Sequence, residues 1–286
     1  MLNRYCQHGV ALIQVLLLTA ILSMMALQFT LSSRQQVTTA TDLQNKMQAE
    51  VKLRTLESKL LFKLLTLSRN DVDDISKQDE IGKLWNFYGK PFSVGSGETV
   101  TIQDVNGLLS VYGGSNAAEL EAYLVLVGAS PQQAKSIVSN IKYWQGLDRD
   151  QYTTQTGNTV RGNYLLNVAE LNSITGIDDA LYQKLAPVVT TLQNILFNPI
   201  TAPLPVLQVQ LAPNVYEEVA SLRSQGLLTK QRFTELTQIE ENDSITFVPG
   251  RRLNIEITAS VGSSVAKREF TVYLRPENQF PVVWFQ

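Results

Sequence analysis

The sequence predicts an α+β fold: one very long N-terminal helix, an antiparallel sheet, and an all-helical unit inserted between the parts of that sheet. Three observations predict it. The stretch from Val10 to Leu31 contains no charged residue, and a leucine stripe then carries the helical period on to Leu67. Apolar and polar residues alternate near residue 100 and again after residue 250, as half-buried strands require. Between those regions helix starts and stops follow one another.

The apolar run comes first. At about 1.5 Å per residue, a helix from Val10 to Leu31 covers roughly 33 Å, enough for a bilayer's hydrocarbon core. A secretory signal has a shorter apolar region followed by a small-residue cleavage site. Here the small residue, Gly9, precedes the run. Arg4 on the N-terminal side predicts a cytoplasmic N-terminus and an exported body, although Arg34 and Lys46 weaken that asymmetry. An amide, Gln14, falls early in the run. Beyond it, Leu53, Leu56, Leu60, Leu64 and Leu67 repeat at three- and four-residue spacing and mark one buried face. "SRNDVDD" ends that helix.

The body follows. "TVTIQDVNGLLSV" reads as strand, turn, strand, with Asn106-Gly107 as a two-residue hairpin turn. Ser115 or Asn116 caps the next helix, Gly128 ends it, and Ser130-Pro131 opens another. A loop runs from Gly146 to Gly162. "NVAELNSITGIDDALYQKLAPVV" gives two short helices joined at Thr175-Gly176, and further helices are expected at 215–224 and 230–238. Leu253, Ile255, Ile257 and Ala259, then Phe270, Val272 and Leu274, define two strands around a Gly262-Ser263-Ser264 loop. "PVVWF" makes the last strand.

Composition limits the chemistry. The 286 residues carry a net charge of -2, so no global basic field attracts nucleic acid. The one cysteine, Cys6, and the one histidine, His8, both precede the apolar run. If that leader is removed, no Ser-His-Asp or Cys-His catalysis and no His/Cys zinc site is left. Asp178 and Asp179 sit side by side at a helix start, where capping accounts for them. A non-catalytic protein is expected. Trp85, Trp144 and Trp284 read as core or interface anchors.

"QHGVALIQVLLLTAIL" resembles a type IV prepilin leader, ending in Gly9, with a helix retained after cleavage. The resemblance implies that a prepilin peptidase cuts after Gly9, leaving Val10 as a methylated N-terminus and Gln14 at the fifth mature position. Over essentially the whole chain, the order of "IQDVNGLLSV", "YWQGLDRD", "NVAELNSITGIDDALYQKLAPVVTTL", "NPITAPLPVL" and "REFTVYLRPENQFPVVWFQ" resembles the minor pseudopilin K family of type II secretion. That family has a pilin-like fold with an inserted helical domain. On this likeness the chain divides into a leader (1–9), a transmembrane helix (10–31) and its amphipathic continuation (32–68). The α+β domain takes 69–113 and 240–286, and the helical insert takes 114–239.

The implied function is assembly with I- and J-type minor pseudopilins at the tip of a periplasmic pseudopilus, from an inner-membrane anchor. The family lacks the usual Glu at the fifth mature position. A tip subunit has no subunit ahead whose N-terminal amine needs neutralising, so Gln14 points to the tip. Family members also bind calcium. Here Tyr143 precedes Trp144 where Asp is usual, and "GNTVRGNY" lacks the downstream acids. Asp148 and Asp150 are the remaining candidate ligands, few for a cation that takes six to eight oxygens, and solvated loop acids fit that count better. Two rivals are a DNA-uptake pseudopilin gripping phosphate through "LLNVAELNSITGIDDALYQKL" and a plain single-pass anchored interaction protein. Asp178 and Asp179 at the turn repel a polyanion, and no nucleic-acid partner is expected.

Overall fold

The computed structural model describes residues 8–67, 82–147 and 161–285. Helix α1 runs unbroken over His8–Thr66, about 88 Å at the standard rise. Its threonines donate their hydroxyls back to helix carbonyls, as Thr19 does to Leu16 and Thr30 to Ala26. The "SRNDVDD" stretch lies outside the described residues.

The principal sheet has five antiparallel strands in the order β1-β2-β5-β6-β7. They are β1 (Phe92–Gly95), β2 (Glu98–Asp104), β5 (Arg252–Val261), β6 (Ser264–Leu274) and β7 (Val282–Phe285). The alternation read from the sequence sets its inner face. Leu253, Ile255, Ile257 and Ala259 are fully buried on β5, joined by Val100 and Ile102 of β2 and by Val272 and Leu274 of β6. Ala49, Leu53, Leu56, Leu60 and Leu64 of α1 lie against that face and complete one core. Each fully buried aliphatic side chain contributes about 1.5–3 kcal/mol. The β5–β6 turn is the two residues Gly262 and Ser263, with Ser264 already paired to Val261. Gly262 has φ +56°, and a Cβ there would fall 2.7 Å from the Asn45 amide of α1.

The second core belongs to the insert. It contains β3 (Leu109–Ser110), α2 (Ala117–Leu126), α3 (Pro131–Trp144), a 3-10 turn (Val168–Ser173), α4 (Asp179–Leu185), β4 (Val189–Thr190), α5 (Leu204–Gln210), α6 (Pro213–Ser224) and α7 (Lys230–Thr237). Leu124, Ile137, Leu171, Ile174, Leu185, Leu207, Val219 and Phe233 meet at its centre. Ser130 and Gln133 form a reciprocal capping box at the start of α3, with Pro131 in the first turn.

Three expectations are corrected. Asn106-Gly107 is not a hairpin turn. Val105–Gly107 is a 3-10 turn in which Asp104 accepts from the Asn106 N–H, and β3 leaves β2 to pair in parallel with β4. Gly107 is needed there because a Cβ would lie 2.5 Å from the Thr201 carbonyl oxygen. Asn116 holds the cap position of α2 without capping it, because its Oδ1 accepts from Ser110 N–H instead. The first of the two short helices around Gly176 is a 3-10 turn. Strand β1 and helix α5 were not read from the sequence.

Candidate functional site: the outer surface of the long helix

The two halves of α1 differ in what covers them. Every residue from Ala11 to Ser32 is exposed, including Leu12, Leu16, Ile21, Met25 and Phe29. Water does not tolerate such a surface over that length, and the apolar half is long enough to cross a membrane. Gln14 lies exposed in its first third. Gly9 and Val10 fall in the first helical turn, so the helix runs through the bond between them.

In the second half, one face is fixed and the other is free. Glu57 pairs with Arg268 of β6 at 2.6 Å, and Lys52 reaches Glu98 at 3.9 Å and the Ser96 carbonyl oxygen. Asp42 accepts from the hydroxyls of Ser263 and Ser264 at the hairpin tip. These contacts surround the buried leucine stripe, leaving it no freedom to roll. The opposite face carries Val37, Leu43, Met47 and Val51, each more than half exposed, and Phe62 further on. Leu43, Met47 and Val51 repeat every four residues beside Val261, a spacing that suits a second helix laid alongside. Sequence reading found the buried stripe and missed this outer one. Its signal was present: Leu43, Met47 and Val51 hold the same i, i+4 spacing on the other side of the helix.

The insert joins the sheet through a polar hub. Asp104, at the end of β2, is fully buried and accepts from Thr201 Oγ1 at 2.9 Å, Asn198 Nδ2 at 3.3 Å and the backbone N–H groups of Asn106 and Gly250. Burial raises its pKa above the ordinary 3.8, more than those four donors lower it. Arg223 of α6 holds the same segment from the other side, donating to the carbonyls of Ala202, Pro199 and Ile200. Burial pulls its guanidinium down to about 10, opposed by Tyr88, whose ring lies 5.0 Å away.

Asp148 and Asp150 lie outside the described residues. Near that segment, Gly162 N–H donates to Trp144 O, and Arg161 pairs with Glu170 at 2.6 Å. Burial alone raises the Glu170 pKa, but the Leu166 N–H and Arg161 bring it below the usual carboxylate value. Among the described residues no three His, Cys, Asp or Glu side chains gather as a metal group would need. Asp178 caps α4 by accepting from Leu181 N–H at 2.8 Å, and Leu171, Ile174 and Leu185 bury the helix pair in the insert core. Trp85 and Trp144 are half-buried, and Trp284 is 43% exposed, packed on Phe270.

No family model matches the chain. Over 210 residues it is 28% identical to the type II secretion system protein K of Klebsiella pneumoniae, a match covering 65% of this chain and 63% of that protein. The match therefore spans somewhat less than two thirds of that relative's length. In fold, the chain matches one from the crystal structure of the GspK-GspI-GspJ complex of enterotoxigenic Escherichia coli. The TM-score is 0.51 at 14% identity, covering 85% of this chain and 98% of the other.

Proposed function

We propose that this chain, a relative of type II secretion system protein K in sequence and in fold, is a minor pseudopilin of a type II secretion system. The observation that carries the reading is the construction of α1. Its first half is apolar on every side, while its second half is fixed to the sheet on one face and bare and apolar on the other. One continuous helix thus suits both a membrane and the helices of similar subunits.

In this reading residues 1–9 are a leader removed by a prepilin peptidase after Gly9, and Val10 becomes the N-terminus. Residues 10–31 anchor the chain in the inner membrane, with 32–68 continuing the helix into the periplasm. Residues 69–113 and 240–286 carry the sheet, and 114–239 form most of the insert, whose core also takes in Leu109, Val111 and Phe247. Its partners are the I- and J-type minor pseudopilins, with which it initiates and caps the pseudopilus for export of folded proteins. The role is non-catalytic. Gln14 lacks the carboxylate that would neutralise the N-terminal amine of a subunit ahead, which fits a terminal place. Asp148 and Asp150 are the residues that calcium would use, with carbonyl oxygens and water completing the shell.

The test is isolation from membranes in mild detergent. The wild-type chain should bring down I- and J-type pseudopilins, and a Met47→Asp, Val51→Asp double variant should lose them while unfolding at the same temperature. Recovery of the wild-type chain without pilin-like partners would overturn the proposal. DNA retained in a salt-sensitive way in their place would favour the uptake reading.

A further inference from the structure

The insert overhangs the sheet on the side away from α1 and leaves a cleft of about 1040 Å³. Its floor is the face of the sheet, with Asn254 of β5, Glu269 of β6 and Phe285 of β7. Leu253, Ile255 and Phe270 belong to the α1 core, so Asn254 and Glu269 point the other way, and Phe285 is paired with Thr271 beside them. Its wall comes from the insert, with Tyr112 and Tyr164 stacked at 3.9 Å and 16°, and Tyr182 further in.

The polar side chains of the lining leave groups open to solvent, and so to a ligand. Asn163, Asn167 and Asn254 each spend their carbonyl oxygen inside the protein, accepting from Tyr164 N–H, Glu170 N–H and Thr271 Oγ1 respectively. Among the described residues their NH₂ groups have no partner, nor does the side chain of Gln193 or the carboxylate of Glu269. Arg252 is the one cation of the lining, and it is engaged. It donates to Gln193 O at 2.7 Å and stacks 5.4 Å from the Tyr273 ring centre.

The lining therefore offers amide donors and aromatic rings, with one carboxylate, Glu269, set against one cation, Arg252. A phosphate-bearing ligand gains little, because the Glu269 carboxylate offsets the single positive charge of Arg252 in the same lining. An extended peptide lying across the face of the sheet gains no strand hydrogen bonds, which among these strands only the edge of β7 could offer. A sugar suits the lining better. Its hydroxyls both donate and accept, and its ring C–H face packs on an aromatic ring. We propose that this cleft binds a neutral oligosaccharide, held by Asn163, Asn167, Gln193, Asn254 and Glu269 and stacked on Tyr164 or Phe285. A cleft of this size at a junction between two cores is a usual place for such a ligand.

The test uses the full chain in lipid nanodiscs, which present no sugar-headed detergent, with cellotetraose and the N-acetylglucosamine tetramer as probes. Saturation-transfer NMR should show saturable transfer to the ring C–H protons of at least one tetramer. Binding should weaken at least tenfold in Asn254→Ala and in Gln193→Ala, and stay unchanged in Leu227→Ala, outside the lining. Circular dichroism checks that each variant folds, and Tyr164→Ala supplies a second probe if either polar variant does not. Absence of saturable transfer with both tetramers, or transfer unaffected by the cleft substitutions, overturns the proposal. So does displacement of the sugar by an uncharged extended peptide at lower concentration. Co-isolation of pilin-like partners is a separate measurement, so failure here and failure of the assembly role are distinguishable.

Discussion

Asp104 shows how a single buried carboxylate can set a joint. The four groups that hydrogen-bond to it are neutral, and they come from the turn after β2, the segment 198–201 and the loop before β5. Removing the acceptor in Asp104→Ala strands these buried donors and should cost about 2–4 kcal/mol in urea unfolding. Asp104→Asn keeps an acceptor and should cost less. The two also separate by pH. Because burial raises the native pKa, the folded state binds the proton more tightly than the unfolded chain. The stability from this group is complete below the ordinary value of 3.8 and is lost as pH rises through the folded value. Asp104→Asn should abolish that decline, and equal pH slopes for wild type and variant would contradict the assignment. This residue was not legible in the sequence, where Asp104 reads as one more polar position before Asn106-Gly107. The partners that give it meaning lie about a hundred residues away.

Helix α1 was the most legible element, because its period and its partner face agree. The stripe of Leu53, Leu56, Leu60 and Leu64 faces a sheet whose own alternation was equally plain. Leu60→Ala should therefore cost about 2–5 kcal/mol by calorimetry on the full chain. Met47→Ala, on the bare outer face, should change stability by less than about 0.5 kcal/mol. Equal losses at both positions would mean that the two faces are not distinguished as described. Elements whose local signals conflict were less legible. Asn106-Gly107 has the chemistry of a hairpin turn, but the Asp104 cap and the close approach of Thr201 redirect it. Helix α5 was hidden because Pro203 and Pro205 crowd its start, although proline is tolerated in a first turn. Strand β1 has four residues and a register shift between Ser93 and Gly95, too short and irregular for an alternation to register.

At the scale of the molecule, two cores are held as one body by a narrow polar joint. Arg223 ties α6 to the carbonyls of 199, 200 and 202, and Asn194 Nδ2 reaches the carbonyls of Val105 and Leu108. Arg223→Ala should cost about 3 kcal/mol and speed hydrogen exchange at 200–207 ahead of the β5–β6 strands, since hydrogen bonds from a charged donor are the stronger kind. Exchange that accelerates uniformly would argue against a local joint. The overall plan, a long helix, a sheet and a helical insert, was readable because each part has its own period. The joint and the cleft beside it were not, since both are assembled from polar loop residues without a repeating pattern.

The central claim is that the apolar helix is kept for assembly while the leader ahead of it is discarded. Intact-mass and N-terminal mass spectrometry of the protein extracted from membranes tests this most directly. A methylated Val10 as the first residue is the predicted result, with Cys6, His8 and Gly9 gone. A chain that still begins at Met1, or that is cut beyond the apolar run, would contradict it.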